Sequence, residues 1–145
     1  MQVRHILQMK GRNVVAIAGA TTLIEAARLL SEKKIGALVV RRRSGALAGI
    51  ISERDIIRAV AAEGAAALSA PVADHMTKAP TTCAEADMVE TVMEVMTRGR
   101  FRHVPVLDDG QELCGMVSIG DVVKSHIAET VNEAAALRGY ISAAV

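Results

Sequence analysis

Hydrophobic and polar positions along this chain follow two rhythms, and the order of those rhythms repeats. Residues 23–30 and 89–96 carry apolar side chains at helical spacing. Residues 35–40 and 101–106 are apolar runs of strand length. An offset of 66 residues, the separation of Asp55 from Asp121, superposes these segments without a gap. The same offset lays Gly49-Ile-Ile-Ser52-Glu-Arg-Asp55-Ile-Ile on Gly115-Met-Val-Ser118-Ile-Gly-Asp121-Val-Val, so both read Gly-apolar-apolar-Ser-x-x-Asp-apolar-apolar. An internal repeat of this kind constrains the fold before any single element does.

Each copy predicts the same elements in the same order. A short strand (14–18, or 81–84) leads to a helix entered through the N-cap types Thr21 and Thr22, or through Asp87. That helix ends near Lys34 or Gly99, and a strand follows at 37–40 or 103–106. A turn comes next, Arg42-Arg-Ser-Gly45 in the first copy and Asp108-Asp-Gly110 in the second, where Asp and Gly tolerate positive φ. A second strand, 47–51 or 113–117, runs into Ser-x-x-Asp, which opens the last helix. The expected fold is mixed α/β (α+β): two β-α-β-β-α repeats related by a pseudo-two-fold axis. Residues 1–70 hold the first repeat with an N-terminal extension, and residues 71–145 the second with a long C-terminal helix. Pro71 breaks the last helix of the first copy. Residues 119–144 lack proline, and Val122, Val123, Ile127, Val131, Ala135 and Leu137 mark an apolar face. That helix outruns the needs of one domain; its stripe is expected to cover a core or, by preference, a partner subunit.

Composition narrows the chemistry. With 145 residues, the chain buries roughly 68–70% of its unfolded surface and needs no disulfide or metal to hold a core. Seventeen basic against sixteen acidic residues leave a net charge of +1, which gives no electrostatic case for duplex nucleic acid or an anionic membrane. One Phe, one Tyr and no Trp exclude a platform of base-stacking aromatics. Cys83 and Cys114 form no CxxC and read as small buried hydrophobes. Neither a signal-peptide h-region nor an apolar run of about 20 residues is visible, so a soluble cytoplasmic protein is expected. The four histidines fall in no HxH or HExxH pattern, and there is no GxGxxG or Walker motif. No catalytic residues and no metal site are therefore assigned.

The repeated Ser-x-x-Asp is the informative motif. At a helix start it points backbone N–H groups and a hydroxyl at an anion, with the helix dipole behind them. The Asp lies in the first turn, where its carboxylate can accept from both hydroxyls of a ribose. The preceding Gly allows close approach to a flat base, and Ile51 and Val117 are apolar neighbours that could clamp it. In a single copy Ser and Asp would read first as plain helix caps. Two copies at identical spacing favour nucleotide contacts.

The chain resembles the tandem cystathionine-β-synthase (CBS) domain pair, or Bateman module. The stretches that carry the resemblance are Gly49 to Asp55 and Arg98-Gly-Arg-Phe-Arg-His-Val-Pro-Val106, followed by Gly115-Met-Val-Ser-Ile-Gly-Asp121. The opening Ile6-Leu-Gln-Met-Lys-Gly-Arg-Asn-Val-Val15 and the tail through Arg138-Gly-Tyr-Ile141 look like small stand-alone bacterial members, with no room for a catalytic domain. The resemblance implies a regulatory, energy-sensing module. It would bind adenosine-containing ligands (AMP, ADP, ATP, NAD(H) or S-adenosylmethionine) in clefts between the repeats and pair into a disc-like homodimer. By that pattern Asp55 shares one cleft with Thr77, Lys78, Thr81, Arg102 and His103, and Asp121 the other with Lys10, Asn13 and Val15. Ser52 and Ser118 would lie nearer the phosphates.

Arg102 and His103 tilt the expectation toward a phosphorylated ligand, because the first copy has Gly36 and Ala37 there. Arg54 reaches a phosphate or faces water. Arg41-Arg42-Arg43 reads as a solvated strand edge and is all that favours nucleic acid. The alternative reading is an interaction domain whose clefts are vestigial. The regulated partner is not legible.

Overall fold

The computed structural model describes residues 1–144; Val145, the end of the expected second repeat, lies outside them. The chain opens with helix α1 (Val3–Lys10) and continues through β1 (Ala16–Ala18), α2 (Leu23–Lys33), β2 (Ala37–Arg41), β3 (Leu47–Ser52) and α3 (Glu53–Glu63). Two 3-10 turns, Gly64–Ser69 and Val72–Asp74, lead to β4 (Thr77–Lys78). The second copy supplies β5 (Cys83–Ala84), α4 (Val89–Gly99), β6 (His103–Leu107), β7 (Leu113–Ser118) and α5 (Ile119–Ala144). The β-α-β-β-α order thus occurs twice, as the repeat predicts.

Packing divides the chain differently from the repeat. One compact unit is Asn13–Thr81; the other joins Met1–Arg12 to the chain from Thr82 onward. In the first unit β1 runs parallel to β2, and β2, β3 and β4 follow antiparallel. Leu23, Leu30, Leu38, Val40, Ile51 and Val72 form its core. In the second, β5 runs parallel to β6 and β7 antiparallel to it, over a core of Val3, Leu7, Val89, Met96, Val104, Val117 and Val122. A cut at residue 70 therefore separates the sequence repeats and not the packed units. The segment leading into each repeat packs on the other one.

The two exchanged segments dock alike. In the first unit Thr22 bridges Pro71, and Val72 N–H donates to Thr21 at 2.7 Å. In the second, Gln2 bridges Met88, and Val3 N–H donates to Asp87 at 2.9 Å. Gly49 and Gly115 make room for them. A Cβ on Gly49 would lie 2.6 Å from the Thr77 carbonyl oxygen, and one on Gly115 would lie 2.7 Å from a Leu7 methyl. The glycines expected to admit a base thus admit the protein's own chain, and a side chain there would displace it.

Local chemistry explains the element ends. Thr22 caps α2 in a box with Glu25, as the N-cap types predict. Asp87 does not cap α4: Met88 holds that position, and the Asp87 carboxylate instead accepts from Ala84 N–H at 2.8 Å in the preceding loop. Both α2 and α4 end on left-handed residues at equivalent positions, Lys34 (φ 55°) and Arg100 (φ 57°). The hairpin turns also correspond. Positive φ falls at Gly45 (88°) and at its equivalent Gln111 (63°). It does not fall at Gly110, because Asp108 accepts from the Gly110 and Glu112 N–H groups and carries the bend one residue further. Arg41 closes the first turn by donating to the Gly45 carbonyl at 2.8 Å, while Arg42 and Arg43 face solvent.

Candidate functional site

The two Ser-x-x-Asp segments stand at repeat-equivalent helix starts and are built the same way. The strand before each delivers Ser in extended backbone, and the helix begins at the next residue. Ser52 N–H donates to Asp55 Oδ2 at 2.8 Å, and Asp55 N–H donates back to Ser52 Oγ at 3.3 Å. Ser118 and Asp121 repeat this at 2.9 and 3.2 Å. Each pair is a reciprocal capping box. The first helical N–H is also committed: Glu53 donates to the Gly36 carbonyl at 3.0 Å and Ile119 to that of Arg102 at 2.8 Å.

Two of the first three helical N–H groups already have protein partners, and the Ser52 hydroxyl also donates to Asp55 Oδ2 at 3.0 Å. Both serine hydroxyls serve the caps, at the helix starts where a phosphate is expected. What stays open is one carboxylate oxygen of each Asp. Among the described residues Asp121 Oδ1 accepts no hydrogen bond, and Asp55 Oδ1 has only the exposed Arg58 guanidinium at 3.8 Å. A carboxylate oxygen that its cap does not use is an acceptor for a polyol.

The two carboxylates differ in their surroundings. Lys10, the last residue of α1, places its ammonium 2.6 Å from Asp121 Oδ2 and 3.1 Å from the Met116 carbonyl. Partial burial pushes the Asp121 carboxyl up, but the Lys10 ammonium and the Ser118 N–H and hydroxyl outweigh it and hold it below the usual carboxylate range. Arg12, just past α1, pairs with Glu85 in the same unit. Among the described residues no lysine pairs with Asp55.

The remaining candidates fall as follows. Thr77, Lys78 and Thr81 lie in the unit of Asp55, all exposed, with β4 pairing Thr77 to Ile50 and Lys78 to Gly49. Asn13 and Val15 also belong to that unit; Asn13 is exposed, and the Val15 carbonyl accepts from Val39 N–H at 3.0 Å. Arg102 and His103 belong to the unit of Asp121. His103 pairs with Ser118 across β6 and β7, which sets it beside the second cap. Arg54 is exposed on the first turn of α3. Ile51 and Val117 are a correction: both are 0% exposed in the cores, so neither side chain is available to clamp a base.

Sequence reasoning missed α1 as a helix, although Val3, Ile6 and Leu7 have its spacing. Cys83 and Cys114 are half-buried against the core of the second unit, as small hydrophobes, and burial pushes the Cys83 thiol up to about 12. Among the described residues no group of three or more His, Cys, Asp or Glu could hold a metal ion, and no helix is long and apolar enough to cross a membrane.

Comparison with known proteins places this geometry. The model of the CBS domain matches the chain twice, at residues 3–62 and 72–127. The mitochondrial CBS domain-containing protein CBSX3 of Arabidopsis thaliana is 39% identical over 125 residues, covering 83% of this chain and 60% of that protein, so the chain spans less than two thirds of that relative's length. The crystal structure of a CBS-domain-containing protein from Agrobacterium tumefaciens is 45% identical, covers 87% of this chain and 99% of that one, and superposes with a TM-score of 0.84. A CBS domain protein from Pyrobaculum aerophilum, solved in complex with AMP, is 31% identical over 83% of this chain and 89% of that one, with a TM-score of 0.74. A CBS domain pair solved with 5′-methylthioadenosine and S-adenosyl-L-methionine is 25% identical over 89% and 98%, with a TM-score of 0.77. With both repeats matched and the repeat-equivalent caps in place, this chain belongs to the CBS domain family and carries two CBS domains in tandem.

Proposed function

We propose that this protein is a regulatory binding module for an adenosine-containing ligand and not an enzyme. The observation that carries the reading is the duplicated cap, which leaves one oxygen of Asp55 and of Asp121 open to accept from a ribose diol. Two structural relatives were solved with adenosine-containing molecules, which supports that ligand class. Arg102, Lys78 and Lys10 supply positive charge for a phosphorylated ligand such as AMP, ATP or NAD(H), and the His103 imidazole adds a hydrogen-bonding group. Arg54, Thr77, Thr81, Asn13 and the Val15 backbone complete the set of polar contacts. The module acts in the cytoplasm as a pair of chains. The exposed Ile57 and a groove of about 570 Å³ between α2 and α3 support the pairing.

Isothermal titration of nucleotide-stripped protein with AMP, ATP, NADH and S-adenosylmethionine tests this. Saturable heat is expected from at least one ligand, and Asp55→Asn and Asp121→Asn should each weaken one class of sites by roughly ten- to a hundredfold, the worth of a charge-assisted hydrogen bond. Folded protein that gives no heat with any of the four overturns the reading. A second reading has one observation behind it: both carboxylates already serve the protein as caps, and Asp121 also binds Lys10. On that reading the chain is an interaction domain with vestigial ligand clefts, and the two substitutions change stability alone.

A further inference from the structure

We propose that the C-terminal part of α5 pairs with the same helix of a second copy of this chain as a parallel, in-register two-stranded coiled coil. The proposal builds on the pairing of chains inferred above and is independent of ligand binding. The family model ends at residue 127, yet α5 continues to Ala144. Every residue from Thr130 to Ala143 is exposed in the single chain. An exposed helical stretch of about four turns is marginal in water unless its apolar face is covered.

Val123, Ile127, Thr130, Ala134, Leu137 and Ile141 follow one another in alternating steps of four and three, the spacing of a coiled-coil seam. Thr130 is its one polar member. Ser125, Asn132 and Gly139 fall on the opposite side, where polar or small residues belong. The seam is not the face that α5 uses inside its own unit. That face carries the buried Val122 and the partly exposed His126, whose ring lies 4.0 Å from Glu90 of α4. Leu137 is 60% exposed and Ile141 56%.

The charges beside the seam decide the occupant and its direction. Glu133 and Arg138 flank it on opposite sides, five residues apart. In a parallel in-register pair, such positions bring Glu133 of one copy beside Arg138 of the other, twice by symmetry. An antiparallel pair in the register that stacks Ile127 on Leu137 and Val123 on Ile141 would set Lys124 beside Arg138 and Glu133 beside Glu133. Both contacts repel, so the helix is complementary to a parallel copy of itself.

Light scattering coupled to size exclusion on the full chain reads the first consequence. The parent should run at twice the chain mass, and Leu137→Glu with Ile141→Glu should weaken that dimer so that monomer appears on dilution. A monomeric parent overturns both the pairing and the coiled coil. A dimer that the double substitution leaves untouched keeps the pairing, through another surface, and overturns the coiled coil. Glu133→Arg and Arg138→Glu should each raise the dissociation constant several-fold, and the two together should restore it. Oxidation of Leu137→Cys should give a covalent dimer that the parent, with Cys83 and Cys114 alone, does not. Cross-linking only when Leu137→Cys is mixed with Ile127→Cys would show antiparallel helices and sink the assignment.

Discussion

Lys34, Arg100 and Gln111 occupy left-handed backbone without being glycine. An L-residue there costs about 1–2 kcal/mol, against roughly 0.5–1 kcal/mol for the extra unfolded-state freedom of glycine. Gln111→Gly should therefore raise stability by about 0.5–1 kcal/mol, visible as a higher thermal midpoint; a lower midpoint contradicts the strain argument. Asp121 gives a second expectation at this scale. Its carboxyl is depressed in the folded state by Lys10 and Ser118 in spite of partial burial. Ionised Asp121 thus adds stability that is fully present above the unfolded carboxylate value near 3.9 and lost as pH falls through the lower folded value. Urea unfolding of the parent and of Lys10→Met should differ most at neutral pH and converge below pH 4. A gap that widens toward acid would show that the ion pair is not its source. The Ser-x-x-Asp caps were legible because a box closes within four residues. The left-handed caps were not, since nothing in Lys34 or Arg100 as residue types asks for positive φ.

At the scale of elements, strong periodicity carried the prediction and weak elements escaped it. The core strands and α2, α4 and α5 appear where apolar spacing puts them. Helix α1 escaped because it is short and its N-cap is Gln2, not Ser, Thr, Asp or Asn. Strand β4 has two residues and exists through its pairing with β3, which no local signal encodes. The two exchanged segments meet their glycines differently, and this can be measured. Gly49→Ala pushes a methyl against the backbone of Thr77, whereas Gly115→Ala meets the tip of the Leu7 side chain, which can shift. Denaturant unfolding should find Gly49→Ala costly by about 1–3 kcal/mol and Gly115→Ala less so. The reverse order would mean that β4 yields more readily than α1.

For the whole molecule, repeat and packing unit are not the same object. The family model divides the chain at residues 62 and 72, while the compact units take residues 1–12 and 72–81 from the opposite repeats. Val3 and Val72 each reach 0% exposure in the core of the repeat other than the one they lead into. Burying a valine fully adds about 1.5–3 kcal/mol, enough to hold such a crossing. The same crossing brings Lys10 to Asp121 and makes the two candidate sites unequal. Ligand affinity and coiled-coil pairing, as tested above, are likewise properties of the whole chain.

By itself the sequence determined the repeat, the order of its elements, the residue types that form the caps at Ser52 and Ser118, and the long C-terminal helix. Each of these is written in residues a few positions apart, where helical and strand periods and hydrogen-bond reach act directly. Only the tertiary structure decided which unit the leading segments join, that Gly49 and Gly115 admit protein chain, that Ile51 and Val117 are sealed in the cores, and that Lys10 already holds Asp121. Those outcomes depend on contacts between residues far apart in the chain. Such contacts are selected by how apolar faces fill space together, and no local pattern specifies them.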